Sequence, residues 1–570
     1  RRIATFYRVS GLTVAVPAAV YSHEYFPPLF TSILHPHPNH SFPTNTRCRD
    51  YHNVRLRQAR DKGLRPGVSN TSTHEVHDEE VGIVKSDALK KDLKGRHMQM
   101  IAIGGAIGAG LFIGSGGALS KGGPAALIIG YMIVGIMLLF TMQALAELSV
   151  LYPVNGAFYT YVVRFLDPAW GFAMGWDYAI AWLTVLPFEL IAASITIKFW
   201  NESISMGVWV TVFLVALTVI QVFGIKGYGE VEFVLSMVKI CACVGFIILG
   251  IVINCGGVGD QGYIGAKYWS DPGAFHNGFN GFCAVFVVAA FAFGEPPQGH
   301  PRAAKQVFFR IFLFYVVNLF VLGLILPSND DRLLNSHGAN SKASPFVLAI
   351  QDAGIKVLPS IFNAVITVSV ISVANSCTFG STRTIQAMAT RKMAPGFFSY
   401  VDKAGRPLYC VALQLCFGFL AYIGLAAEGM TIFNWLLSLT GLSFFFVWGS
   451  ICATHIRFES PTDPPSASGE ALVASSSTSS ASLATFYNAL YPSPTATPNA
   501  VDFMQSYMAL PLVLLLTLFW KIKSGDWSLY VKVQDMDLLA GARLLNPEDI
   551  EEAEQARKGP WYSRIFHALF

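Results

Sequence analysis

Charge is what this sequence has least of. Only 13% of its 570 residues are Asp, Glu, Lys or Arg, whereas soluble domains carry about 25%. A chain of this length would otherwise suggest several soluble domains, but so few charges argue against that class. The formal net charge of +4 is too small to indicate a nucleic-acid partner.

Motifs for metal, cofactor or catalytic chemistry are also missing. The nine cysteines form no C-x-x-C pair and belong to no Cys/His cluster with metal-ligand spacing. No His/Asp cluster, nucleophile motif or phosphate loop stands near the end of an apolar run, which argues against a membrane enzyme. An ion channel would need a repeated filter sequence or a charged ring, and neither is present. We therefore expect no metal, no cofactor and no enzymatic activity, and we interpret the cysteines as small buried apolar residues.

Long apolar runs are what the sequence has in abundance. Hydrophobic residues make up 53% of the chain and gather in runs of roughly 20, the length that crosses ~30 Å of hydrocarbon as a helix. Because these runs do not alternate as barrel strands do, only helices satisfy their backbone groups in lipid. The sequence therefore predicts an all-α polytopic membrane protein. Its eleven predicted spans are 98–119, 124–145, 172–197, 205–223, 233–253, 281–294, 307–326, 358–373, 408–426, 432–453 and 506–520.

The distribution of basic residues predicts the orientation of these spans. If the N-terminus is cytoplasmic, fifteen lysines and arginines of the connecting segments lie inside and six lie outside. Cytoplasmic connections carry such an excess of basic residues in membrane proteins. We therefore predict a cytoplasmic N-terminus, with residues 1–92 as a disordered cytoplasmic tail.

An odd number of spans places the C-terminus on the opposite side of the membrane from the one that its charged sequence indicates. Eleven spans place the charged residues 523–570 outside, although they are typical of a cytoplasmic tail. A twelfth span is expected within 460–500, but this stretch is rich in Ser, Thr, Pro and Ala and contains no apolar run. We predict that 460–500 is a low-complexity replacement of a span, followed by the last transmembrane helix at 501–522.

The first span is unusually rich in glycine. Each glycine costs a helix roughly 1 kcal/mol relative to alanine, so this span is predicted to unwind. The free N–H groups of a half-helix that starts within the membrane attract a carboxylate. Helix packing through G-x-x-x-G remains an alternative, whereas a dinucleotide loop would need a strand–turn–helix context that is absent. The glycines are Gly104, Gly105, Gly108, Gly110, Gly114, Gly116 and Gly117.

The sixth apolar segment is short and ends in Phe291-Ala-Phe-Gly-Glu-Pro-Pro. A second span broken by glycine and proline, five spans after the first, fits a five-plus-five inverted repeat. In that architecture the two broken helices face each other at the midplane and hold the substrate. A simple loop after a short helix is the alternative.

Three acidic residues fall within or at the end of predicted spans. An ionised carboxylate in lipid is costly, so such groups usually face a polar cavity, form pairs or carry protons. Glu189 has the most apolar neighbours and is the first candidate for proton exchange, ahead of Asp177 and Glu147. A structural hydrogen bond is the alternative for all three. Lys239 in the fifth span is expected to snorkel or to form a pair.

Several motifs, from Leu93-Lys-Gly-Arg-His to Gly559-Pro-Trp-Tyr, resemble those of the fungal amino-acid permease family, in the amino acid–polyamine–organocation superfamily. The resemblance covers about 90–459 and 501–570 and identifies 93–459 as the permease transmembrane domain. The other matching motifs lie at 97–112, 146–158, 224–233, 305–312, 374–383 and 394–407.

The resemblance implies a leucine-transporter-like fold of twelve helices, of which about eleven are present here. It also implies amino-acid uptake through the plasma membrane, driven by protons as the symported ion. Ala109 stands where the family usually has Thr or Ser, so one hydroxyl contact is lost. The implied substrate site comprises Ala106, Ile107, Gly108, Ala109 and Gly110 of the first span and Phe291 and Gly294 of the sixth, with Glu189 as the proton-coupling residue.

The chain departs from the family pattern in two places. Only residues 294–300 separate the sixth segment from the next family motif, so the second half of the sixth helix is shortened. The eleventh helix is replaced by the Ser-rich stretch. The alternative function is therefore a non-transporting nutrient sensor, or a defective splice product of such a permease.

Overall fold

The computed structural model divides the chain into two units, residues 1–77 and residues 78–570. The structure describes roughly two thirds of the chain. The described residues are 5–9, 12–16, 107–153, 156–201, 203–222, 224–258, 262–294, 310–333, 344–403, 405–425, 429–459, 469–492, 497–532 and 535–536.

The first unit contains a β-hairpin that sequence analysis did not predict. Strand β1 (Thr5–Val9) pairs antiparallel with β2 (Leu12–Val16), and Val9 lies opposite Leu12 beside the turn. The rest of the predicted tail 1–92 lies outside the described residues, so its disorder stays a prediction.

The second unit is helical throughout its described parts, apart from turns and connections. Single turns of π-helix lie at Gly110–Gly114, Trp269–Gly273 and Arg310–Val317. Short 3₁₀ turns lie at Gly396–Ser399 and Phe419–Leu425. The α-helices are α1 (Ser115–Leu151), α2 (Ala157–Phe165), α3 (Pro168–Ile197), α4 (Met206–Val222), α5 (Gly224–Asn254), α6 (Gly278–Ala292), α7 (Asn318–Ile325), α8 (Pro345–Asp352), α9 (Leu358–Thr390), α10 (Leu408–Gly418), α11 (Gly429–Glu459), α12 (Gly469–Leu490), α13 (Ala500–Tyr507) and α14 (Ala509–Ser524).

Six described helical segments are long and apolar enough to cross a membrane, and three shorter apolar helices accompany them. This confirms the prediction of an all-α polytopic membrane protein. The six segments are Gly110–Leu151, Pro168–Ile197, Tyr228–Asn254, Leu358–Thr390, Leu408–Leu425 and Thr431–Phe458.

The first two predicted spans meet at a kink inside α1. Gly123 has φ +82°, a left-handed conformation that favours glycine, and Pro124 follows it. Backbone hydrogen bonds then hold the segment that precedes α6 against this kink. The Ala125 amide donates to the Ala274 carbonyl (2.9 Å), and the His276 amide donates to the Gly122 carbonyl (2.9 Å).

Part of the Ser-rich stretch forms a helix, and our prediction that 460–500 is a low-complexity replacement of a span stays a prediction. Helix α12 is 22 residues long and packs against α1, α6 and α11. Its hydroxyl groups find partners within the helix, as in the bonds from Ser479 to the Ser475 carbonyl (2.9 Å) and from Thr485 to the Ala481 carbonyl (2.9 Å). Such bonds to the carbonyl four residues earlier satisfy Ser and Thr hydroxyl groups within a helix.

Helix α3 lies at the centre of the bundle. Asp167 caps its first turn by accepting from the amides of Ala169 (3.2 Å) and Trp170 (3.3 Å), and Pro168 occupies the first helical position. In its apolar stretch 83% of the residues are buried. It packs against α2, α9, α11 and α14, so its polar side chains face protein rather than lipid.

Candidate functional site

The glycine-rich first span begins as a helix inside the bundle. Ile107 and Gly108 are not helical, and the π turn that leads into α1 starts at Gly110. A Cβ on Gly108 would lie 2.5 Å from Val373 Cγ2 of α9, and one on Gly110 would lie 2.6 Å from the Cα of Ala292 of α6. Glycine is therefore required by close packing at both positions, and the first N–H groups of this helix lie among buried residues.

The sixth span breaks next to this helix start. Helix α6 ends at Ala292, and the Gly294 amide donates to the Phe291 carbonyl (3.1 Å). Two tyrosine hydroxyls bind the adjoining backbone carbonyls, Tyr315 that of Ala292 (2.8 Å) and Tyr131 that of Gly110 (3.3 Å). Sequence analysis did not find these tyrosines, because no motif around them signals the contact.

A small cavity lies between the two broken spans. It leaves about 10 Å³ for the centre of a water molecule, which is room for about one water. A molecule larger than one water therefore enters this cavity only if the surrounding side chains move. The cavity is lined by Gly110, Trp182, Val185, Glu189, Phe291, Gly294, Val373 and Phe444.

The predicted site residues converge on this cavity. Gly110, Phe291, Gly294 and Glu189 line it, and Ile107, Gly108 and Ala109 lead directly into the helix start at Gly110. The remaining predicted residue, Ala106, lies outside the described residues.

Glu189 brings a carboxyl group to the helix start. Its side chain is 1% exposed, and its Oε1 is 3.5 Å from the position that a Cβ on Gly108 would occupy. The polar groups that interact electrostatically with this carboxyl group are the Ala109 amide and the Lys239 ammonium. Neither oxygen makes a hydrogen bond of normal geometry within the described residues, which is unusual for a buried polar group.

Lys239 forms a buried ion pair and does not snorkel. Its Nζ lies 3.5 Å from Glu232 Oε1, and both side chains are fully buried. Ser372 of α9 also donates to the Glu232 carboxylate (2.7 Å). Sequence analysis missed Glu232, although its position seven residues before Lys239 on one helix face was a usable signal.

The other two predicted acids do not line the cavity. Asp177 is fully buried and accepts a hydrogen bond from Ser443 (2.8 Å). Glu147 pairs with His455 Nε2 (2.7 Å), and its own side chain is 60% exposed. The shortened end of the sixth helix, at 295–300, lies outside the described residues.

No group of His, Cys, Asp and Glu side chains in the described ranges has the arrangement of a metal site. The residues that line the cavity with polar groups are instead Glu189, with its carboxyl group, Trp182, with its indole N–H, and Gly110, at the start of the helix. The backbone amides at a helix start attract an anion such as a carboxylate, and a carboxylate attracts a cation such as an ammonium group.

Comparison with known proteins identifies the family of this chain. Residues 97–532 match the family described as amino acid permease. An uncharacterised amino-acid permease of Schizosaccharomyces pombe is 47% identical over 82% of this chain and 84% of its own length. General amino-acid permeases of Candida albicans and Saccharomyces cerevisiae are 42% and 43% identical over 90% and 85% of this chain, and over 92% and 86% of their own lengths. The chain therefore belongs to the amino-acid permease family, whose members are integral membrane transporters of amino acids and not enzymes.

Proposed function

We propose that this protein takes up amino acids across the plasma membrane in symport with protons. The observation that carries the proposal is the position of Glu189, a buried carboxyl group without a hydrogen bond of normal geometry among the described residues, beside a helix that starts within the bundle. The similarity to two general amino-acid permeases supports a broad range of amino acids as substrates. The excess of basic residues in alternate connections supports a cytoplasmic N-terminus.

The backbone at the helix start would bind the substrate carboxylate. The amides of Ala109 and Gly110 stand at the positive end of the helix dipole, where an anion is stabilised. Ala109 has no hydroxyl group to add to these donors, so binding at this end relies on the main chain. Binding of this kind does not depend on the side chain of the substrate, which is consistent with a broad range.

The substrate ammonium would lie toward Glu189 and the carbonyls near Ile107 and Phe291. A proton on Glu189 would remove the negative charge that attracts the substrate ammonium. Loading and release of the substrate would thereby be linked to proton binding. Lys239 lies within electrostatic range of Glu189, so the balance of charge around the substrate also depends on the Glu232–Lys239 pair.

The proposal is tested by uptake into liposomes that contain the purified full-length chain. With an inward proton gradient and a radiolabelled mixture of the twenty common L-amino acids, we expect accumulation that a protonophore abolishes. Glu189→Gln keeps the shape of the side chain but cannot ionise, so accumulation should fall at least about tenfold. Glu147→Gln is the matched control, because Glu147 is exposed and outside the cavity.

Two outcomes would contradict the proposal. Undiminished accumulation by Glu189→Gln would remove the coupling role of this residue. Binding of the labelled amino acids without any accumulation by the native chain would favour the alternative, a nutrient sensor or a defective splice product, which the shortened sixth helix suggests.

A further inference from the structure

A polar seam between α3 and α11 holds a second buried carboxyl group. Three side-chain hydrogen bonds cross this seam at positions seven residues apart on α3, a spacing that keeps them on one face of the helix. They are the bond from Trp170 Nε1 to Ser450 Oγ (2.8 Å), the bond from Ser443 Oγ to Asp177 Oδ1 (2.8 Å), and the bond between the hydroxyls of Thr184 and Thr440 (3.1 Å).

Only one of the two carboxyl oxygens of Asp177 accepts a hydrogen bond within this seam, among the described residues. Its side chain is fully buried, and Ser443 occupies Oδ1. Oδ2 has no hydrogen-bond partner among the described residues. Because buried polar atoms nearly always have a partner, Oδ2 is the position in this seam at which a proton would reside.

The charged groups on the elements packed against α3 have other partners. Among the described residues, Ser443 is the polar group that interacts with the Asp177 carboxyl group, and no cation has an electrostatic effect on it. Helix α4 has no ionisable residue, and α10 has only Tyr409, Cys410 and Cys416. The charged groups are Lys521 of α14 with Asp167, Lys523 of α14 over Trp520, Arg383 of α9 over Phe379, Arg164 of α2 over Tyr152, and His455 and Arg457 of α11 with Glu147 and Tyr530.

The seam connects two cavities. Trp182, five residues after Asp177, and Phe444, next to Ser443, line the central cavity with their rings 5.7 Å apart. At the other end, Trp170 and Ser450 line a cavity of about 750 Å³, which has room for water. Asp177 therefore lies between the site of Glu189 and a larger space, separated from the site by one aromatic pair.

We propose that Asp177 is a second proton-carrying residue of the transport cycle, on the α3–α11 seam behind the Trp182–Phe444 pair. A hydronium ion gives a proton to Oδ2 when the aromatic pair separates, and it becomes water. At the Trp170 end, Oδ2 gives that proton to a water molecule, which becomes hydronium. In each transfer one O–H bond breaks and another forms, and no electrons are transferred. This proposal rests on the proposed symport, but it concerns a different residue, and its spectroscopic test does not depend on transport.

The first test is infrared difference spectroscopy of the full-length protein in lipid, between acidic and alkaline buffer. We expect a protonated-carboxyl band that Asp177→Asn removes and that Ser443→Ala keeps at a shifted frequency. Glu189→Gln serves to subtract the contribution of the other carboxyl group. The same band in native protein and in Asp177→Asn would overturn the proposal, whether or not the chain transports amino acids.

The second test separates proton release from substrate binding in liposomes. Exchange of labelled for unlabelled amino acids needs no net proton movement, so Asp177→Asn should exchange within about twofold of the native rate. Its net proton-driven uptake should fall at least about tenfold. Ser443→Ala keeps the carboxyl group and should lose far less. A purely structural Asp177 would lower exchange and net uptake equally in both variants, and this result would contradict the proposal.

Discussion

At the residue scale, two glycines fix how closely the start of the first helix approaches its neighbours, Gly108 toward α9 and Gly110 toward α6. The space for a Cβ on Gly110 is taken by the backbone of Ala292, which does not rotate out of the way as a side chain does. Sequence analysis identified the glycine run and predicted its unwinding, but it did not show which glycine touches which helix. That information exists only once α1, α6 and α9 are packed.

Gly110→Ala tests this close approach. We expect an overpacking cost of about 1–3 kcal/mol, read as a lower midpoint of thermal unfolding in detergent. Gly245→Ala is the matched control, since Gly245 lies within α5 with open space at its Cβ position. There the helix gains about 1 kcal/mol from alanine. Equal effects of the two substitutions would argue against packing as the reason for Gly110.

Glu232 shows why the candidate site was only partly predictable. Glu189 was identified because it is an isolated acid in an apolar run, a signal that the local sequence contains. The partners of Lys239 are one residue on its own helix and Ser372 on α9. Contacts between distant helices follow from packing, which a single sequence does not record.

At the scale of elements, helix α8 covers the start of the first broken span. Ser344 caps α8 through the Phe346 amide (3.2 Å) and also donates to the Phe112 carbonyl (2.5 Å). The rings of Phe112 and Phe346 meet at 5.3 Å. At the far end of α8, Arg332 binds Asp352 (2.7 and 2.8 Å) and Asp330 (2.9 Å from Nε to Oδ1). The connection between α7 and α8 is thereby fixed to the end of α8.

The Arg332 network predicts a pH dependence for α8. Hydrogen bonds from Arg332 hold the pKa of Asp330 below its usual value of about 3.9. A lowered pKa in the folded state means that the network stabilises α8 fully above about pH 4, and that this contribution is lost as the pH falls further. Because Arg332 is half exposed, the contribution is at most about 1 kcal/mol.

Hydrogen exchange of the α8 amides, corrected for the intrinsic rate, measures this effect. Protection should decrease below about pH 4 in the native protein. In Arg332→Gln, the α8 amides should have at every pH the reduced protection that the native protein shows only below about pH 4. A native protein whose protection stays constant through this range would contradict the assigned role.

The elements themselves were predicted unevenly. The spans at α3, α5 and α9 were evident from their apolar content. Helix α12 was missed because its serines replace apolar residues while keeping the helical hydrogen bonds. The kink at Gly123 was anticipated only as a gap between two spans, since the left-handed conformation depends on the segment before α6 that packs against it.

At the scale of the whole molecule, the segment after α14 ties three helices together. Lys521 of α14 binds Asp167 at the start of α3 (3.0 Å), and both side chains are buried. The Val531 amide donates to the Leu166 carbonyl (2.8 Å), and Arg457 at the end of α11 donates to the Val531 carbonyl and lies over the Tyr530 ring. The two helices of the polar seam, α3 and α11, are therefore held by the same short segment.

Two substitutions at Asp167 separate its role as a cap from its role in this tie. Asp167→Asn keeps an N-cap of similar strength but leaves Lys521 buried without its ionic partner, a change that typically costs about 3–5 kcal/mol. Asp167→Ala also removes the cap and should lose about 1 kcal/mol more. Thermal unfolding in detergent gives both values, and trypsin cleavage at Lys523 reports whether the segment has detached. If Asp167→Asn matches the native protein in both measurements, the ion pair does not hold the segment in place, and the seam between α3 and α11 is aligned by its own hydrogen bonds.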